Sequence, residues 1–284
     1  MSLFESGLEY LILQLQANQR LHQERYPRAI LDQIKAITTT EPEEAEAADQ
    51  AAATGSANDP WVLMPAASEA PSGDAASSEP AETLEALRER VIRCQKCPHL
   101  AASRHQVVFG IGNPAAELMF VGEAPGADED LRGEPFVGRA GELLTRIIGT
   151  MGFSRQEVYI ANVLKCRPDT PPGASGNRAP TPVEMETCLP YLRRQIELIR
   201  PQVMVALGAT AMRGLFGTSE PMRGLRGRWH DFDGIPVMAT FHPSYLLRSQ
   251  TLTEKRKVWE DMLLVLERLN RPISERQRNY FTVK

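Results

Sequence analysis

From residue 82 onward the chain alternates short apolar runs with helical patterns, and this alternation constrains the fold more than any other feature. Leu118–Val121, Val158–Ala161, Val203–Leu207 and Val237–Thr240 each read as a short buried strand. Gly141–Met151 and a stretch from Ala209 carry helical spacing, and Leu84–Ile92 predicts a helix ahead of the ladder. Thr181-Pro182-Val183-Glu184 is a capping box with proline at the first helical position, which predicts a helix to about Ile199. Thr251-Leu252-Thr253-Glu254 is a second such box, opening a helix to about Leu269. Strands alternating with helices predict an α/β protein: a three-layer α/β/α sandwich around a central, mostly parallel four-stranded sheet. No internal repeat is visible.

In such a sheet, ligands bind beyond the carboxyl ends of the strands. Glu123, Asn162 and His242 each fall just after one of the four strands. Three strands therefore deliver polar side chains to one edge, which is where a site is expected.

The chain has four cysteines, Cys94, Cys97, Cys166 and Cys188. The first two are separated by two residues; 68 residues lead to the third and 21 more to the fourth. No secretion signal and no apolar run long enough to span a membrane is read, so metal binding is favoured over a disulfide framework. All four thiolates together would suit either zinc or a [4Fe–4S] cluster, and the spacing does not choose between them. Four protein ligands leave no open coordination position, so a structural role is expected.

Charge is divided along the chain. Residues 1–80 hold 13 acidic and 4 basic residues, whereas the remainder holds 23 acidic and 28 basic. The basic excess of the larger part suits a phosphate-binding surface. Phe4, Leu8, Leu11 and Leu15 fall on one helix face, predicting an N-terminal helical segment over 1–37, broken at Pro27. Residues 38–80 hold nine acids and no Lys or Arg, and predict a disordered linker. Within it, Trp61-Val62-Leu63-Met64 is an isolated apolar tetrad. It is read either as a patch that touches the domain transiently or as a docking peptide for a partner protein. The N-terminal helices are a second candidate contact for such a partner. Residues 81–284 form the expected main domain.

Two loops carry further chemistry. Glu123–Asp130 is acidic and follows a strand, and Pro135–Gly141 places Phe136 among glycines ahead of a helix, where a ring or phosphate can approach closely. Phe241-His242-Pro243-Ser244 places a histidine in a turn stiffened by proline. With the cysteine pair, Gly122–Gly126, Tyr159–Pro168, Asn177–Pro180 and Phe241–Arg248, the chain resembles the family 4 uracil-DNA glycosylases, the iron–sulfur branch of the uracil-DNA glycosylase superfamily. The resemblance covers roughly residues 85–270 and leaves out 1–80. Asp169–Gly176 looks like an insertion.

The resemblance implies a uracil-DNA glycosylase-like fold, a [4Fe–4S] cluster on the four cysteines, and excision of uracil from DNA as part of base excision repair. A base must leave the stack to be reached. Phe136 would stack on it, Asn162 would read uracil by its amide, and His242 would donate a hydrogen bond to uracil O2. Glu123 is the residue expected to orient water, with Glu129 also at the substrate. No lysine suits a Schiff base, so a monofunctional enzyme is expected. Residues 169–181 hold no histidine, which argues against covalent trapping of the sugar by a related loop. Tyr245 or Leu246, with Leu247, is expected to wedge into DNA, and Arg223, Arg226 and Arg228 to contact phosphates. Single- or double-stranded DNA containing uracil is the expected partner of a monomer in the bacterial cytoplasm or nucleoid. The alternatives are a catalytically silent, replication-associated nucleic-acid-binding protein of the same fold, and an iron–sulfur electron carrier.

Overall fold

A computed structural model describes residues 82–170 and 176–282. The expectations for residues 1–37, for the linker at 38–80 with Trp61–Met64, and for most of the Asp169–Gly176 loop lie outside the described residues.

In chain order the elements are α1 (Leu84–Ile92), α2 (Pro98–Ser103), β1 (Ile111–Gly112), β2 (Leu118–Gly122), α3 (Ala127–Arg132), α4 (Arg139–Met151), β3 (Tyr159–Asn162), α5 (Pro182–Ile199), β4 (Val203–Leu207), α6 (Ala209–Phe216), α7 (Met222–Leu225), β5 (Trp229–Phe232), β6 (Ile235–Thr240), α8 (Pro243–Arg248), α9 (Leu252–Arg268) and α10 (Glu275–Arg278). They build one sheet of strand order β1-β3-β2-β4-β6-β5. The four expected strands are its parallel centre, β3-β2-β4-β6. Two antiparallel edge strands extend it to six.

The edges escaped the sequence reading for physical reasons. β1 is two residues long. β5 is half exposed and carries His230 and Asp231, so it has no apolar run. Its turn was nevertheless encoded: Asp233 and Gly234 have φ of 52° and 84°, the paired positive angles of a two-residue hairpin loop.

Each central strand buries both faces. Leu118 and Phe120 of β2 pack towards Leu144 and Ile148 of α4 and Trp259 and Met262 of α9. Met119 and Val121 turn the other way, towards Leu192 and Ile196 of α5 and Met212 of α6. This period of two, covered by helices on each side, is why the strands read as continuous apolar runs. α1 packs on α5 through Leu87, Val91 and Tyr191.

The caps explain where the helices begin. Thr181 accepts from Glu184 N, and the Glu184 carboxylate accepts from Thr181 N in return. At α9 only half of the expected box forms. Thr251 accepts from Glu254 N, while the Glu254 carboxylate turns to Lys257 and the Tyr245 hydroxyl. An ammonium and a phenol within reach compete for that carboxylate.

The chain leaves β2 for β3 on one side, then crosses back to β4 on the other. The winding reverses between β2 and β4, the place where an open α/β sheet leaves a crevice.

Candidate active site and cysteine centre

A cavity of about 590 Å³ opens at this crevice, and Glu123, Glu129, Phe136, Asn162 and His242 all line it. Three stand at strand ends: Glu123 just after β2, Asn162 as the last residue of β3, and His242 two residues after β6.

Asn162 is 2% exposed, and its Oδ1 has no hydrogen-bond partner. A buried amide oxygen left unpaired costs about 1–3 kcal/mol, and Asn162 stands in the cavity wall with this acceptor unused. The opening beside it depends on glycine. A Cβ at Gly122 would lie 2.3 Å from Asn162 Oδ1 and 2.6 Å from the Phe136 ring.

Phe136 holds φ at 55°, a left-handed conformation that a bulky residue rarely adopts. Its surroundings enforce it. A Cβ at Gly141 would meet the Phe136 carbonyl oxygen at 1.8 Å, so α4 can start only where that position is bare. Glu129 fixes the rest of the loop. Its carboxylate accepts from Gly126 N, Val137 N and Gly138 N at 3.0–3.1 Å. Glu129 thus lines the cavity, but its oxygens are occupied in bracing the segment that carries Phe136.

His242 caps α8. Ser244 N–H donates to Nδ1 at 3.1 Å, and the Ser244 hydroxyl lies 2.8 Å from the same nitrogen. Nδ1 is therefore the acceptor, and the proton of the neutral ring sits on Nε2. Desolvation, aided by the Arg248 charge, lowers the pKa from 6.5 to about 4. At neutral pH the site holds an uncharged imidazole with Nε2–H as its one ring donor. The ring lies 5.6 Å from that of Phe136, tilted by 32°.

Burial raises the Glu123 pKa, while a hydrogen bond with Thr210 and the charge of Arg213 act in the opposite direction. Thr210 and Arg213 belong to α6 and were not singled out in the sequence. Asn177, Arg178 and Arg248 also line the cavity. All three stand inside motifs quoted above, but as isolated polar residues they carried no signal of direction.

The residues expected at DNA are placed differently from one another. Arg223 and Arg228 are exposed, Arg228 in an ion pair with Glu220. Arg226 instead turns inward, donating from Nε and Nη2 to the buried Asp261 and from Nη2 to Lys257 O. The Thr240 hydroxyl also donates to Asp261, so this network anchors the end of β6 ahead of His242. Leu246 is 5% exposed and packs with Phe241 and Val258, whereas Leu247 is more open. Tyr245 stacks on Phe241 with ring centroids 4.6 Å apart. Of these three neighbours of His242, only Leu247 lacks a core or ring contact of this kind, because the others occupy the inner face of α8.

The four cysteines meet in one place, and Cys97, Cys166 and Cys188 pack against the core on the α5 side of the sheet. Together with Val91, Leu100, Leu164 and Tyr191 they line one small, mainly apolar cavity, and all four are free thiols. Cys97 caps α2, Cys188 lies within α5, and Cys166 follows β3. Arg104 Nη1 donates to Cys166 Sγ at 3.0 Å, and Lys165 N–H donates to Cys188 Sγ at 3.3 Å. Burial raises the thiol pKa of Cys97 and Cys166, and pushes Cys188 up to about 11.

His99, Asp169 and Glu184 also group closely. Arg178 explains that group: its guanidinium pairs with both carboxylates, and His99 Nε2 lies 2.8 Å from Glu184.

The family model of the uracil DNA glycosylase superfamily matches residues 109–263, and the chain belongs to that superfamily. Similar proteins include type-4 uracil-DNA glycosylases at 41–46% identity. A type-4 uracil-DNA glycosylase of Thermotoga maritima is 46% identical over 183 residues, 64% of this chain and 92% of that protein. The type-4 enzyme of Archaeoglobus fulgidus is 42% identical over 182 residues, 61% and 88% of the two chains. A type-5 uracil-DNA glycosylase of Thermus thermophilus is 27% identical over 227 residues, 65% and 97%. Among the described residues no helix is long and apolar enough to cross a membrane.

Proposed function

We propose that this protein hydrolyses the N-glycosidic bond of uracil in DNA and leaves an abasic site for repair. The observation that carries the reading is the unpaired, buried Oδ1 of Asn162, set beside the Phe136 ring and the Nε2–H of His242.

A flipped uracil offers N3–H to Asn162 Oδ1 and O4 to the amide nitrogen. Cytosine presents an acceptor at N3 and a donor at its 4-amino group. It would face the amide with two mismatched groups, at roughly 1–3 kcal/mol each. Phe136 offers a stacking face. As the bond breaks, negative charge grows on uracil O2, and His242 Nε2–H is the donor that meets it. A neutral imidazole suits this task, because it donates without first needing a proton. Glu123, held by Thr210 and Arg213, orients the water that attacks the sugar. No lysine lines the described cavity, which favours a monofunctional enzyme.

The four cysteines fit a [4Fe–4S] cluster. Two of the thiol sulfurs accept N–H bonds, as cluster ligands do. The described side chains whose ligand atoms all fall within 4.8 Å are His99, Asp169 and Glu184, and not the cysteines. Zinc would draw the sulfurs to about 3.8 Å of one another, given Zn–S of about 2.3 Å. When bound, the cluster supplies a rigid crosslink between the α1–α2 segment and the β3–α5 segment. Exposed Arg223 and Arg228 are proposed phosphate contacts, and Leu247 the side chain that enters the gap left by the flipped base.

The test is cleavage of a labelled oligonucleotide with one uracil, followed by alkali, against thymine and cytosine controls. Cleavage confined to uracil and dependent on alkali is expected. An intact uracil strand, with protein that retains its visible iron–sulfur absorbance, would favour a binding or electron-transfer role.

A further inference from the structure

We propose that Lys165 is a positioning residue for Asn162: its buried side chain holds the end of β3, and its backbone borders the cysteine centre. The inference rests on the uracil-excision reading.

Lys165 is 1% exposed. A buried ammonium carries a desolvation cost that only strong acceptors or opposite charge can offset. Its Nζ donates to the backbone carbonyl of Asn162 at 2.9 Å and to Gln195 Oε1. Gln195, 0% exposed, donates onward to Phe109 O at 3.0 Å and to the Tyr159 hydroxyl at 3.1 Å. The ammonium thus clamps the last residue of β3 to α5 by a charge-assisted bond, stronger than a neutral one.

The same residue belongs to the cysteine centre. It precedes Cys166, its backbone N–H is the donor to Cys188 Sγ, and the residue is among those lining the cysteine cavity. Oδ1 of Asn162 is unpaired, so no hydrogen bond to that oxygen fixes the residue, and the strand end behind it does. Parallel pairing with β2 fixes the strand there, and the Lys165 bond fixes the carbonyl that the strand end presents.

The test is a double-mutant cycle in the full chain, purified anaerobically. Single-turnover uracil cleavage is compared for the wild type, Lys165→Met, Asn162→Ala and the double variant. Lys165→Met is expected to slow cleavage by about 10- to 100-fold, the size of effect that a displacement of about 1 Å produces. Affinity for an abasic-site duplex should change by less than about twofold, with iron–sulfur absorbance retained. In the Asn162→Ala background the same change should cost nothing further. An equal loss in both backgrounds, or a wild-type rate in Lys165→Met, overturns the proposal. So does loss of the chromophore with the thermal transition intact, which would assign Lys165 to the cysteines alone. If Lys165→Met does not fold, Gln195→Met replaces it in the cycle under the same criterion. A wild-type protein that leaves uracil in place instead fails the activity reading, before any variant is compared.

Discussion

Gly122 and Asn162 sit side by side at the ends of neighbouring strands, so close that a Cβ on Gly122 would lie 2.3 Å from Asn162 Oδ1. The bare backbone of one residue is the space in which the other's amide stands. Gly122→Ala should therefore displace Asn162 and Phe136 together, with uracil excision falling by about 100-fold. Overpacking should lower stability by roughly 1–3 kcal/mol. Single-turnover kinetics and thermal unfolding check both; an unchanged rate would mean that the amide is not confined as described.

His242→Ala should reduce the single-turnover rate by about 10²–10³-fold, the effect of removing one oxyanion donor. His242→Gln, which keeps an N–H donor, should recover part of that loss. Equal rates in the two variants would remove the donor role.

The pH profile separates the two ionising groups at the site. His242 has its pKa lowered to about 4 and is already neutral through the usual histidine range, so its own titration should give no limb near pH 6.5. Glu123 has its pKa raised above 4.5, mainly by burial, and must be ionised to act. Activity should therefore fall with acidity through a midpoint above 4.5. That limb should be absent from the residual activity of Glu123→Gln. Persistence of the limb in that variant would assign it to another group.

Glu184 has its carboxyl lowered to about 2, first by Arg178, and its side chain is 4% exposed. A depressed folded-state pKa stabilises the protein fully above the unfolded value, near 4.5, and the effect is lost as pH falls towards 2. Glu184→Gln should cost about 3 kcal/mol at pH 7, the scale of a broken buried pair. The gap from wild type should shrink steadily between pH 4.5 and 2, as denaturant melts at each pH would record.

The arginines near α7 should divide by orientation. Arg228→Ala removes an exposed charge whose pair with Glu220 is weak, and should lower the salt slope of DNA binding by about 1. Arg226→Ala should leave that slope unchanged and destabilise the fold, because it strands the buried Asp261. Salt titration beside thermal unfolding tests the contrast; a reduced slope in Arg226→Ala would contradict it.

The sequence by itself determined the four central strands, the cap at Thr181, the strand-end positions of Glu123, Asn162 and His242, and the four thiols. These rest on local rules: apolar runs buried on both faces, backbone capping, and the geometry of a parallel sheet. The tertiary structure decided what depends on neighbours distant in the chain. It turned Arg226 inward, buried Leu246 and left Leu247 partly exposed, and engaged Glu129 with three backbone amides. It also brought Thr210 and Arg213 to Glu123, and set Lys165 between Asn162 and the cysteines. A side chain's direction is fixed by the groups packed against it, and those groups come from elements that no local pattern brings together.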